Sequence, residues 1–444
     1  MKVKKQIPII SPDPIEHVVL LMLENCSYDR MLGALFAPTP DRCNNDINGA
    51  TYRQQETKVA QVEPDPRHEM RDVLFQIADQ NDNFVRDYSI YYPESTTAQR
   101  QDIMGFYPAG FLRSLHTLAE SFTVCDRWFS SVPGPTWPNR LFALSGTSKG
   151  RVLMPESIDE LNLHLYNQTT LFDRLNQSKI GWKVYFGDAP LSLLFTHQWQ
   201  SPNLRRYMPL SQFEEDAAGP ASEFPSFCFV EPRYLGNNAN DDHPDHDVRA
   251  GEALIATVYN ALRRNEELFA STLLVVTFDE HGGFYDRLSP PGTIAPDDHH
   301  EEYDFSRLGV RVPTLLVSPY DAAKRSHQVF DHTSLLKYLI DKWKLGHLGK
   351  RAAAANSIGP LLRKTPRPDD ELPSSLRVPR LRPRAENQTP LSDYERSLVL
   401  LGRYLEQRLE GRPGLDVQRA EVPSPDDERR ETVARIQSFI SSSQ

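Results

Sequence analysis

His17-Val-Val-Leu-Leu-Met-Leu-Glu-Asn25 and Leu273-Leu-Val-Val-Thr-Phe-Asp-Glu-His-Gly-Gly283 are two apolar runs that each stop at a pair of acidic or amide side chains. Continuous apolar runs of this length, with turn residues behind them, read as strands buried on both faces of a parallel sheet. Open parallel sheets bind ligands beyond the carboxyl ends of their strands. The reading therefore brings Glu24, Asn25, Asp279 and Glu280 to one sheet edge, far apart though they are along the chain. An all-oxygen set of this kind suits a hard cation such as Ca²⁺, Mg²⁺ or Mn²⁺. The competing reading is that strand ends are acidic because loops are polar. It is weakened by both pairs ending central-looking strands.

Working outward, strands are predicted at Phe122–Trp128, Trp182–Phe186, Phe227–Val230 and Pro313–Ser318. Helices are predicted around Glu69–Ala78, Phe111–Glu120, Leu141–Gly146, Val248–Arg264, Asp331–Trp343 (with Asp331 as cap), Ser392–Leu409 and Glu428–Ser441. The alternation predicts an α/β fold with a mainly parallel sheet flanked by helices. Residues 351–390 turn rich in Arg and Pro and read as a linker or surface strap, which divides a catalytic domain (1–350) from a C-terminal helical extension (391–444).

The 444 residues are 39% hydrophobic and 25% charged, with net charge −10, which leaves no basic footprint for nucleic acid. Residues 1–10 carry positive charge without an apolar core, and no run of about 20 apolar residues is present. The expectation is a protein that is cytoplasmic as synthesised, with a signal-less export route left open. Peripheral membrane contact is compatible with this, and oligomeric state is not legible. The four cysteines contain no C-x-x-C pair, and a Cys26–Cys43 bridge stays an alternative disfavoured in a reducing compartment.

The turn Ser131-Val-Pro-Gly-Pro-Thr-Trp-Pro-Asn-Arg140 places Thr136 immediately before a predicted helix, with Pro138 in its first turn. Helix amino ends collect unpaired N–H groups and favour phosphate. A hydroxyl there is either a plain cap or a nucleophile if a metal lowers its pKa. Asn139 and Arg140 are candidate substrate contacts, Arg140 as phosphate clamp or as ordinary surface cation. His68, His243, His246 and His281 are candidates to hold phosphate oxygens or to protonate a leaving alcohol. Asp241–Asp247 could instead form a separate metal loop.

Together these segments resemble the phosphoesterase family of bacterial and plant phospholipases C and an acid phosphatase, within the alkaline phosphatase-like superfamily. The resemblance rests on Val18–Asp29, Met104-Gly-Phe-Tyr107, Cys125–Arg140, His243-Pro244, Thr277–Asp286, Gly309-Val-Arg-Val-Pro313 and Asp331-His-Thr-Ser334, in the family's order. It implies one divalent metal held by Glu24, Asn25, Asp279 and Glu280, with the nucleophile Thr136 completing the shell. Ca²⁺ or Mg²⁺ fits the oxygens best, while the superfamily also takes Zn²⁺, Mn²⁺ and iron. His68 and His243 match family histidines facing the phosphoryl group, and His281 directly follows the acidic pair. The implied activity is phospholipase C-type hydrolysis of a phosphatidylcholine-like lipid through a phospho-threonine. A broad phosphomonoesterase and a non-catalytic metal-binding effector remain as alternatives. A choline head group would need an aromatic cage, for which Trp128, Trp137, Tyr107, Tyr185 and Tyr285 are candidates by nearness to the motifs.

Overall fold

The computed structural model describes residues 13–36, 42–163, 166–381, 390–411 and 423–442. The amino-terminal residues read for targeting, and part of the predicted strap, lie outside them. The elements that build the centre are, in chain order, β1 (His17–Leu23), β2 (Thr123–Cys125), α1 (Thr136–Ser145), β3 (Trp182–Phe186), β4 (Tyr207–Pro209), β5 (Phe227–Glu231), α2 (Val248–Arg264), β6 (Thr272–Phe278), β7 (Thr314–Val317), β8 (Arg325–Ser326), α3 (Thr333–Trp343), α4 (Asp393–Leu409) and α5 (Pro425–Ser441). The strands form one eight-stranded sheet in the order β8-β2-β7-β6-β1-β5-β3-β4. The five strands from β6 to β4 pair in parallel. Only β7 runs against its neighbours, so the sheet is mainly parallel, as the sequence predicts.

Both apolar runs occupy the centre, and every residue of β1 and β6 is buried. A one-residue slip would turn each of these side chains to the opposite face, so packing on both sides fixes the register. That register pairs Leu23 with Phe278. The polar pairs therefore leave the sheet side by side.

Two local expectations differ from the structure, while the disfavoured disulfide is absent. Phe122–Trp128 is not one strand: β2 ends at Cys125, and Trp128–Phe129 pairs separately with Phe330–Asp331. Arg311 accounts for the break by donating Nη1 to the Asp126 carbonyl at 2.7 Å, which takes that group away from a ladder. Asp331 does not cap α3, whose cap position is His332. Its carboxylate instead accepts from the Ser131 and Thr333 hydroxyls. All four cysteines are free, and Cys43 is exposed while Cys26 is buried, so no Cys26–Cys43 bridge exists.

The C-terminal helices pack into the main core. Ser392 caps α4 by accepting from the Glu395 N–H, and Glu395 reciprocates. Leu398, Leu401 and Leu405 of α4, with Ile436 and Phe439 of α5, belong to the same apolar cluster as the sheet. No helix among the described residues is long and apolar enough to cross a membrane.

Candidate active site at the carboxyl edge of the sheet

At the shared end of β1 and β6 the backbone turns tightly. The Asn25 N–H donates to Asp279 Oδ1 at 3.1 Å, and the Cys26 N–H donates to the Glu280 carbonyl at 2.9 Å. Gly282, at φ +63°, is required here: a Cβ would lie 2.1 Å from the Asn25 carbonyl oxygen. Gly283, at φ +73°, lies under the next loop, where a Cβ would lie 2.6 Å from Pro66 Cβ and 2.7 Å from the Arg67 carbonyl. The Gly-Gly pair thus lets two strand ends and the loop carrying His68 meet without side chains between them.

Thr136 is the first residue of α1, one position further into the helix than the sequence reading. Its hydroxyl lies 3.1 Å from Glu24 Oε2 and 3.5 Å from Asn25 Oδ1. Thr136, Glu24, Asn25, Asp279 and Glu280 therefore form one connected group, all within 1% exposure. One turn along α1, Arg140 is buried beneath them. It pairs with Glu24 at 2.8 Å and Asp279 at 3.0 Å, and donates to the Met22 and Leu23 carbonyls. The structure gives Arg140 the place of an internal counter-ion without a surface cation's exposure, and its Nη1 is buried 3.9 Å from Glu231 with no hydrogen-bond partner. The Asn139 amide bonds the backbone of Val132, Gly134 and Pro135. It holds the Pro-Gly-Pro turn and has nothing left for substrate.

The histidines separate into distinct places. His68 donates Nδ1–H to the Pro66 carbonyl at 2.8 Å, and its Nε2 faces the Asn25 amide at 3.1 Å. His243 pairs Nδ1 with Asp245 at 2.5 Å, while its Nε2 is buried without a hydrogen-bond partner. Burial opposes charge on His243, yet Asp65 and Asp245 hold its pKa well above the usual histidine value. The ligand atoms of Asp65, His68 and His243 lie within 4.8 Å of one another. His246 pairs with Asp241 at 2.7 Å, in a second group with His243 and Asp245. Burial holds His281 neutral, so with its Nε2–H donated to Gln76 Oε1 at 2.8 Å, its Nδ1 is an acceptor 3.2 Å from Glu280. Both nitrogens face these neighbours and neither faces a substrate.

One participant carried no signal in the sequence. Tyr394, at the start of α4, donates its hydroxyl to Glu24 Oε1 at 3.0 Å and stacks on the His243 ring at 5.5 Å. Its neighbour Asp393 pairs with Arg67 at 2.6 Å. By contrast, Trp128, Trp137, Tyr107, Tyr185 and Tyr285 are buried at 4% exposure or less and form no open cage.

The donor set fits a divalent cation. Burial, reinforced by Asp279, pushes the Glu24 carboxyl well above its ordinary range against the pull of Arg140. Burial also pushes Glu280 up to about 7, against His68. Glu280 Oε1 is buried and has no hydrogen-bond partner. Three crowded carboxylates, of which Arg140 pairs with only Glu24 and Asp279, beside the unpaired oxygen of Glu280, are what a bound cation would relieve.

The phosphoesterase family profile matches residues 15–346. Non-specific phospholipase C6 of Arabidopsis thaliana is 37% identical over 335 residues, covering 69% of this chain. The match spans 62% of that relative's own length. Non-specific phospholipase C1 of the same plant is 29% identical, covering 88% of this chain and 80% of the relative. Phospholipase C B of Mycobacterium tuberculosis is 30% identical, covering 73% and 72%. Among solved structures, a protein in the alkaline phosphatase superfamily from Vibrio parahaemolyticus aligns with TM-score 0.37 at 10% identity, over 78% of this chain and 72% of that one.

Proposed function

The chain belongs to the phosphoesterase family, and on that premise we propose that it is a metal-dependent phosphodiester hydrolase of phospholipase C type. The substrate is a phosphatidylcholine-like glycerophospholipid, and the products are diacylglycerol and the phosphorylated head-group alcohol. The observation that carries the reading is the Thr136 hydroxyl at the amino end of α1, 3.1 Å from Glu24.

Glu24, Asn25, Asp279 and Glu280, with the Thr136 hydroxyl, would hold one divalent cation. When bound, that cation would lower the hydroxyl's pKa and offset the phosphate's charge, and the hard oxygen donors favour Ca²⁺ or Mg²⁺. Thr136 Oγ1 passes its proton to Glu24 Oε2, to which it donates at 3.1 Å, and attacks phosphorus in line as the bond from phosphorus to the glycerol oxygen breaks. The unpaired N–H groups at the start of α1 favour the phosphoryl oxygens. His243 protonates the departing glycerol oxygen: it is held charged, and its Nε2 makes no hydrogen bond, with Asp65 3.6 Å away as its ion-pair partner. Water then attacks the phospho-threonine and gives a proton back to His243, the bond between phosphorus and Oγ1 breaks as Glu24 returns its proton to Oγ1, and the phospho-alcohol leaves with the Thr136 hydroxyl restored.

The test compares p-nitrophenyl phosphorylcholine with p-nitrophenyl phosphate, before and after chelation and metal add-back. Preference for the choline diester, lost on chelation, is expected. In Thr136→Ala, turnover is expected to vanish while metal content stays near normal. Full activity in that variant would eliminate the covalent scheme. Preference for the monoester would move the reading to a phosphomonoesterase, and inactivity with every metal would leave a binding protein.

A further inference from the structure

A cavity of about 760 Å³ lies against the site, lined by Arg67–Asp72, the segment 151–156 and the first turns of α4. Arg67 and Glu69 line it and flank His68, and Asp393 lines it and precedes Tyr394. Cavity and site therefore share a wall. The carbonyl of Val152, also in the lining, lies 3.2 Å from where a Cβ on Gly134 would sit, so this segment backs the turn that carries Thr136.

Two surfaces face the cavity. One is the apolar strip Val152-Leu153-Met154-Pro155, extended by Leu161 and Leu400. The other carries four arginines, and an acid holds each of them. Arg67 pairs with Asp393 at 2.6 Å, Arg71 with Glu302 at 3.3 Å and Arg151 with Glu301 at 3.0 Å, and Arg396 also pairs with Asp393. With its cations neutralised this wall is a poor seat for a second anion. Glu69, Asp72, Glu156 and Glu160 line the cavity as well, so acids outnumber arginines seven to four and repel an anion further, and the uncharged part of the wall is the apolar strip, where Leu153 is 39% exposed.

Resting on the phospholipase reading above, we propose that this cavity is the acylglycerol subsite. It takes the glycerol ester region and the first methylenes of a lipid whose phosphate lies at Thr136. Its volume is that of a small-molecule site, roughly 300–1,000 Å³, so it admits the proximal part of the lipid while the distal chains stay outside. Leu153 and Leu400 cover the methylenes, and the paired arginines border the ester carbonyls.

The experiment uses the full chain and two substrates with the same head group, dihexanoyl phosphatidylcholine and p-nitrophenyl phosphorylcholine. They differ only on the leaving side. In Leu153→Asp the ratio of kcat/KM for lipid over chromogenic diester should fall about tenfold, carried by the lipid KM. Leu153→Met should restore the ratio, and unchanged thermal unfolding controls for folding. An unchanged ratio overturns the proposal. So does an equal loss on both substrates, which would put the head group in the cavity instead. If the parent protein hydrolyses neither substrate, the functional reading fails separately. Calorimetric binding of dihexanoyl phosphatidylcholine to Thr136→Ala, with and without Leu153→Asp, then decides the cavity alone: weaker binding in the double variant supports it, and no difference overturns it.

Discussion

Replacing Arg140 with Gln tests whether the buried guanidinium is a counter-ion for the site's carboxylates or a clamp for phosphate. Arg140 is 2% exposed and pairs with Glu24 at 2.8 Å and Asp279 at 3.0 Å. Removing one partner of a buried pair costs about 3–5 kcal/mol, since the remaining charge is stranded. Burial and Asp279 already push the Glu24 carboxyl upward, and Arg140 pulls it down. Without Arg140, Glu24 takes up a proton more readily, which limits the loss to about 3 kcal/mol. Unfolding entropy scales with length, so for a chain of this size that is a Tm fall of about 3 °C. A carboxyl whose folded pKa rises loses stability as pH rises, so the deficit should grow above the ordinary carboxylate range, between assays at about pH 5 and about pH 8. A divalent cation among the same carboxylates would replace the missing charge. Metal add-back should therefore raise Tm more in the variant than in the parent. Thermal unfolding of chelated and reconstituted protein at both pH values measures all three effects. An unchanged Tm after chelation, with a raised KM for the diester, would refute the counter-ion reasoning and restore the clamp.

Two further predictions concern the neighbouring groups. Burial opposes charge on His246, but Asp241 and Asp245 raise its pKa to about 9. Its contribution is full below its unfolded pKa near 6.5 and is lost as pH rises through about 9, a change of about 3 kcal/mol. Paired Tm-against-pH curves should show His246→Asn losing stability relative to the parent at neutral pH and converging with it above about pH 9; parallel curves would count against this. Tyr394→Phe deletes the hydroxyl on Glu24 while leaving the ring to stack on His243. It should lower stability after chelation by about 1–2 kcal/mol and reduce kcat with little change in KM. Parent-like values of both would mean that α4 touches the site without bearing on it.

The central strands were legible almost to the residue, because burial on both faces writes an unbroken apolar run and the acidic pairs mark where it ends. Thr136, His68 and His243 were legible as chemistry-bearing residues in turns, and the structure brings them to the same edge. Arg140 was legible as a cation beside a nucleophile, but sequence does not show which way it faces. In a helix, position 140 lies one turn along from 136, which puts it beneath the hydroxyl among the strand-borne acids. Tyr394 was illegible for a different reason. Its helix is amphipathic and predicted correctly, but only tertiary packing shows that its first turn docks on Glu24. The aromatics near the motifs misled in the opposite sense, since nearness along the chain put them in the core.

The charges assembled at the site bear on the choice between diester and monoester. Glu24, Asp279 and Glu280 can bring three negative charges, which Arg140 and one divalent cation would balance. A phosphodiester adds a single negative charge, and His243, held protonated by Asp65 and Asp245, supplies one positive charge to meet it. A monoester near neutral pH brings close to two, and the second has no cation left beside Thr136, while Asp65, Asp241 and Asp245 stand close by. In a buried site an unmatched charge is costly. On the proposed reading, with one divalent cation bound, the arrangement would discriminate by charge before any contact with the head group or acyl chains is considered. The discrimination should weaken as pH falls and the monoester takes up its second proton. A diester-to-monoester preference that shrinks from about pH 7 to about pH 5 is the expected signature, and a preference independent of pH would place selectivity in shape instead.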